Sequence, residues 1–166
     1  MTSPKSHPVR RLADDDLDWA HALNQRHAVE LSSLSRDGFA ALAAAASHAV
    51  AIDERAAFLL AFDQDADYDS PNFLWFKARY PAFLYVDRFV VAPTHRRQGL
   101  ARKLYDDLFA AARAAGHDSV VCEVNADPPN PSSDAFHASL GFEVVGRERL
   151  AVRDKTVTYL LCRLPA

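Results

Sequence analysis

Three arginines and one glycine crowd a single short stretch, Pro93-Thr94-His95-Arg96-Arg97-Gln98-Gly99-Leu100-Ala101-Arg102. The residues before it are apolar and strand-like. Those after it place Leu100, Leu104, Leu108 and Ala112 at helical spacing. A strand that ends in a glycine-containing turn and opens a helix aims several unbonded N–H groups, and the positive end of the helix dipole, at one place. Arg96, Arg97 and Arg102 add whole charges around it. That is the chemistry of a phosphate or pyrophosphate pocket. Neither the glycine-rich nucleotide loop ending in Gly-Lys-Ser/Thr nor the three-glycine dinucleotide fingerprint occurs.

A second constellation lies downstream, from Asn130-Pro131-Ser132-Ser133 through Phe136-His137 to Leu140-Gly141-Phe142. An unperturbed imidazole titrates near ~6.5, so a histidine such as His137 is a candidate for proton transfer near neutrality. The alternative for His137 is a helix residue bonded to a nearby carbonyl. Two carboxylates fall on strand-like stretches. Asp87 shares a face with Tyr85, Phe89 and Val91 by strand alternation, and either acts as a base or pairs with Arg88 or with an arginine of the 64–83 loop. Glu123 lies on the next strand. Metal chemistry has no support: His21 and His27 are six apart, and Cys122 and Cys162 read as buried free thiols.

Elements must hold these groups in place. The pattern predicts a strand over 9–12, helices over 17–27 and after Ser35, and a hairpin of 48–52 with 56–62. Further strands follow over 84–91, 119–124, 143–150 and 156–164, with helices from Leu100 toward Gly116 and over 132–140. Residues 64–83 read as a long loop, with Tyr68, Phe73, Trp75, Phe76, Tyr80 and Phe83 among polar residues. It is too aromatic for a linker, so it either walls an acceptor site or covers the sheet. A strand, crossover helix and strand over 84–124 implies parallel neighbours in a mixed sheet.

The run Arg96-x-x-Gly99-x-Ala101, followed by Asn130 and the terminal Gly141-Phe142, resembles the two signatures of the GCN5-related N-acetyltransferases. The resemblance covers nearly the whole chain. It implies an α/β acyl-CoA N-acyltransferase fold, a mixed central sheet with helices on both faces, in the order β-α-α-β-β-β-α-β-α-β-β. It implies acetyl-CoA as co-substrate and no metal. The main chain of Phe89, Val90 and Val91 would then pair with pantetheine in a slot beside the next strand. Arg96, Arg97, Gln98, Gly99, Leu100, Ala101 and Arg102 would hold the pyrophosphate, with Asn125, Asn130, Ser133 and Phe136 along the rest of the cofactor. His137 stands where many members carry a tyrosine acid. Asp87 is the first candidate base and Glu123 the second. Tyr68, Ser70, Asn72, Trp75, Arg79 and Tyr85 would line the acceptor site.

Length and composition set the outer bounds. At 166 residues the chain fits one domain over 9–166 after a loose start at 1–8, and 49% hydrophobic with 25% charged residues suits a globular protein. A net charge of -3 argues against a nucleic-acid partner. No apolar run of membrane-spanning length appears, which points to the cytoplasm and to no membrane partner. The acceptor expected is the primary amine of a small molecule. A protein acceptor, a longer acyl chain and a non-catalytic coenzyme A sensor are the alternatives, and a homodimer is compatible with the pattern.

Overall fold

The structure is a computed structural model that describes residues 7–165. Most of the loose start expected over 1–8 lies outside the described residues. Seven strands are ordered β1-β2-β3-β4-β5-β7-β6 in one mixed sheet. They are β1 (Val9–Arg11), β2 (His48–Ile52), β3 (Ala57–Asp63), β4 (Leu84–Val91), β5 (Ser119–Asp127), β6 (Glu143–Leu150) and β7 (Lys155–Arg163). Six helices intervene: α1 (Leu17–Arg26), α2 (Ala28–Leu31), α3 (Arg36–Ala45), α4 (Pro71–Lys77), α5 (Leu100–Ala114) and α6 (Pro131–Ser139). Two of these are absent from the sequence-based order. The four-residue α2 continues past the C-cap of α1, and α4 lies inside the stretch expected to be a loop. By Cα proximity the chain divides into two compact units, Met1–Phe62 with Asp87–Ala111 and Asp63–Val86 with Ala112–Ala166.

In the first unit β1, β2 and β3 form an antiparallel meander, registered Val9↔Ile52 and Ile52↔Ala57. The β2–β3 turn needs left-handed backbone at Glu54 and Arg55. Ala20 and Leu23 of α1 and Phe39 of α3 bury against Phe58, Leu60, Val90 and Ala92. The Phe39 and Phe58 rings meet edge to face at 5.5 Å. Helix α3 starts where Ser35 Oγ accepts from the Gly38 N–H at 2.9 Å, satisfying one of the donors a helix start leaves open.

In the second unit β5 runs antiparallel to β7 from Ser119↔Arg163 to Asn125↔Val157, and β6 lines the far side of β7. The first residues of β4 pair with β5 in parallel, Leu84↔Val120 and Tyr85↔Val121, the arrangement expected of the crossover. Phe73, Phe76, Phe83, Tyr85 and Tyr159 are all nearly or wholly buried and meet as tilted or edge-on aromatic pairs. They give α4 the apolar face that a seven-residue helix requires, since so short a helix has little stability of its own.

Asp16 organises the entry to α1. Its carboxylate accepts from Arg10 at 2.7 and 2.9 Å, from the Ala13 N–H at 2.8 Å and from Trp19 Nε1 at 2.9 Å. The Arg10 hydrogen bond is the largest of the effects that hold its pKa down, at about 2. A carboxyl group with a depressed folded-state pKa stabilises the fold above its unfolded value, and that stability is lost as pH falls. Asp16→Asn is expected to cost about 1–2 kcal/mol near neutral pH, discounted because Arg10 is partly exposed. Urea unfolding from pH 2 to 7 should show the wild type losing this advantage between about pH 4 and 2.

Candidate active site

The basic turn belongs to the first unit. After β4 a short 3-10 turn at Pro93–His95 leads into Arg96, and Arg97 and Gly99 adopt left-handed backbone with φ of 64° and 73°. Left-handed residues in such a turn swing successive N–H groups toward one side. The α5 ladder starts with Lys103 N–H to the Gly99 carbonyl, so the amides of Leu100, Ala101 and Arg102 precede it. Arg96, Arg97, Gln98 and Arg102 are exposed, Ala101 is half-buried, and Leu100 is buried as the anchor of the helix. A methyl group added at Gly99 would meet nothing within 4 Å, so an anion has room to approach this backbone. The donors, charges and open space together fit a pyrophosphate group.

One Arg96 guanidinium nitrogen lies 3.1 Å from His27 Nε2, and His27 Nδ1 lies 3.1 Å from the Leu23 carbonyl. The carbonyl can only accept, so Nδ1 carries the proton and Nε2 accepts from Arg96. The pairing was not visible in the sequence. Along β4, Phe89 is half-buried and edge-on to Tyr105, Val90 joins the core, and Val91 closes the strand.

Asp87 pairs with Arg88 Nε at 2.7 Å, and both side chains are 5% exposed. Arg88 also donates to Asn24 Oδ1 at 2.9 Å. The ion-pair alternative is thus what the geometry contains: this carboxylate is engaged by a buried guanidinium.

The second unit holds the other candidates. Glu123 is half-buried in β5, opposite Tyr159 in the β5–β7 register. Asn72, 2% exposed, donates from Nδ2 to Glu123 Oε1 at 3.0 Å and accepts from the Tyr159 hydroxyl at 2.9 Å. The expected acceptor wall is largely packed. Tyr85 is 0% exposed, Ser70 is buried ahead of α4, and Tyr68 tilts against Phe73 at 5.6 Å. Trp75 stacks on Tyr159, with centroids 4.1 Å apart and planes at 17°. The Arg79 guanidinium lies 4.0 Å from the Trp75 ring centroid and caps the face that Tyr159 leaves.

Asn130 caps α6, its side chain accepting from the Ser133 N–H at 3.3 Å. His137 is 2% exposed, with Nδ1 2.7 Å from the Ser133 carbonyl and 3.2 Å from Ser133 Oγ. Its ring lies edge-on to Phe136 and to Phe142. Burial is the largest effect on its pKa and lowers it. The proton held on Nδ1 by the carbonyl means that a second one, on Nε2, would charge a buried ring. Asn125 is half-buried at an irregularity near the end of β5, which runs to Asp127 rather than ending at Val124.

Among the described residues no group of three or more His, Cys, Asp or Glu side chains is arranged to hold a metal ion, and no helix is long and apolar enough to cross a membrane. Cys122 and Cys162 are buried and form no disulfide.

A mixed sheet carrying a strand, an arginine-rich turn and a helix defines an α/β domain equipped for a phosphorylated ligand. The sequence pattern of the acetyltransferase (GNAT) family matches residues 31–142, and the chain belongs to that family. No curated protein matches the sequence. Among solved structures the fold is similar to the ribosomal-protein-S18-alanine N-acetyltransferase of Escherichia coli. The identity is 19% and the TM-score 0.69, over 97% of this chain and 96% of that one. It is similar to a putative acetyltransferase of Salmonella typhimurium solved with its cofactor acetyl-CoA, at 20% identity and TM-score 0.70, over 98% and 96% of the two chains. A third is NAA60 of Arabidopsis thaliana in complex with a bisubstrate analogue, at 13% identity and TM-score 0.74, over 95% and 98%.

A Cβ at Gly146 would lie 2.4 Å from Trp75 Cζ2. Gly146→Ala is therefore expected to lift the indole off Tyr159 and cost about 1–3 kcal/mol by overpacking. In a Trp19→Phe background, Trp75 emission should move to longer wavelength and the Tm should fall by several degrees.

Proposed function

We propose that this acetyltransferase moves the acetyl group of acetyl-CoA to the primary amine of a small molecule by direct attack in a ternary complex. The observation that carries the cofactor half is the Arg96–Arg102 turn, with left-handed backbone at Arg97 and Gly99 at the mouth of α5. Its amides and arginines take the coenzyme A pyrophosphate, and the main chain of Phe89–Val91 pairs with pantetheine as an added strand would. The amine nitrogen bonds to the acetyl carbon, a tetrahedral oxyanion forms, and its collapse breaks the C–S bond and releases the thiolate.

Glu123 is the proposed base. An amine of pKa ~10.4 is mostly protonated near neutrality and must lose a proton before it attacks. Asp87 is less suited, because a buried arginine already engages it. Glu123 accepts a hydrogen bond from the neutral amide of Asn72. A donor without a full charge orients a carboxylate while leaving it able to accept a proton. His137 is assigned a packing role, since burial, the largest effect on it, opposes the imidazolium an acid would need and outweighs the Ser133 carbonyl that favours it. Water then protonates the departing thiolate.

A small acceptor is favoured because Glu123 is half-buried and bonded to Asn72 of α4, a short helix rich in aromatic side chains. A polypeptide N-terminus is the second reading, on the name of the Escherichia coli relative.

Arg96→Ala should weaken coenzyme A binding roughly 10- to 100-fold by calorimetry, the value of one charge-assisted contact. Glu123→Gln should lower kcat by ~10²–10⁴-fold while coenzyme A still binds. His137→Phe should keep kcat within a few-fold, and a loss as large as that of Glu123→Gln would restore the acid role. A thiol-release assay over small amines and peptides decides the acceptor: a higher kcat/KM for peptides overturns the small-molecule reading.

A further inference from the structure

We propose that Asn72 is the positioning residue for the Glu123 carboxylate, and that the Tyr159 hydroxyl braces the far end of the Asn72 amide. The inference rests on Glu123 being the base. An asparagine amide has a donor end and an acceptor end, and only the donor end stabilises a carboxylate. Here the NH₂ donates to Glu123 Oε1 at 3.0 Å, and the Tyr159 hydroxyl donates to Asn72 Oδ1 at 2.9 Å and holds the amide from behind. All three groups lie in the second unit, and Asn72 and Tyr159 are 2% and 1% exposed.

The hydroxyl is a dependable donor. Burial, together with the carboxylates of Glu123 and Glu148, pushes its pKa up to about 12, and Arg79 opposes the shift. Those are the charged groups acting on this phenol from β5, from β6 and from the segment after α4. The Tyr159 ring is held in turn by the Trp75 stack and by the edge of Phe76 at 5.2 Å. Asn72, Trp75 and Phe76 all come from α4, so one short helix carries both the donor to Glu123 and the rings that fix the bracing tyrosine.

A buried carboxylate that loses a hydrogen-bond donor binds its proton more tightly, so activity that needs it ionised moves to higher pH. The test is the pH dependence of kcat with acetyl-CoA and an amine that turns over, for wild type, Asn72→Ala, Asn72→Asp, Tyr159→Phe and Glu123→Gln. Melting curves and coenzyme A calorimetry confirm folding. Asn72→Ala is expected to move the limb that rises with pH upward by about one to two pH units, the value of one bond to a charged group. Asn72→Asp, which sets a second carboxylate there, should move it at least as far. Tyr159→Phe, which keeps the stacked ring, should move it in the same direction by less. If Asn72→Ala does not fold, Tyr159→Phe decides. An unmoved limb in the folded Asn72 and Tyr159 variants, with the rate lost in Glu123→Gln, overturns the positioning role and leaves the base in place. A normal rate and limb in Glu123→Gln overturns both.

Discussion

A carboxylate on an interior strand is difficult to satisfy from within its own sheet. The N–H groups along a paired edge are committed to the ladder, and desolvating an ionised group without a donor costs several kcal/mol. Glu123 sits in this position on β5, with β7 on one side. Its donor comes from outside the sheet, from Asn72 of α4. Much of the second unit follows from that requirement. Helix α4 must be held close, so Phe73 and Phe76 bury completely. The amide must be held in place, and Tyr159 donates to its far end. Trp75 must lie flat on Tyr159, and position 146 has no side chain to obstruct it.

The first unit meets a similar problem differently. Arg88 and Asp87 are buried as an ion pair, and Arg88 gains a further acceptor in Asn24. The carboxylate of Asp87 is thus paired with a guanidinium, and that of Glu123 accepts from an amide.

Periodicity and turn chemistry foretold all seven strands, because hydrophobic alternation and the Gly99 and Gly116 breaks are local properties of the chain. The arginine turn was legible for the same reason. Helix α4 was not read, although Ser70-Pro71 is a helix-start signal and Phe73 and Phe76 share a face. Seven residues carry too little pattern to outweigh the surrounding Asp and Asn, and the helix owes its stability to rings supplied from elsewhere. The Asn72–Glu123 and Asn72–Tyr159 bonds span 51 and 87 positions, and no local pattern announces them. Alternation put Asp87 on a face with Tyr85, but it could not tell whether the flexible Arg88 side chain would reach around to it. The histidine at position 137 was visible, while its tautomer depended on a carbonyl one helical turn away.

The segment after α2 is held by side chains rather than by a ladder. Asn24 Nδ2 donates to the Ser32 carbonyl at 3.2 Å, Gln25 Oε1 accepts from the Leu34 N–H at 3.0 Å, and Gln25 Nε2 donates to Ser33 Oγ at 2.8 Å. Ser32 itself is kept at φ 75°, a conformation serine rarely adopts unaided. Asn24 is in turn bound by the buried Arg88. Loops that order only when a ligand arrives charge their lost freedom against affinity. Here three side-chain hydrogen bonds from α1 supply that order from within the fold.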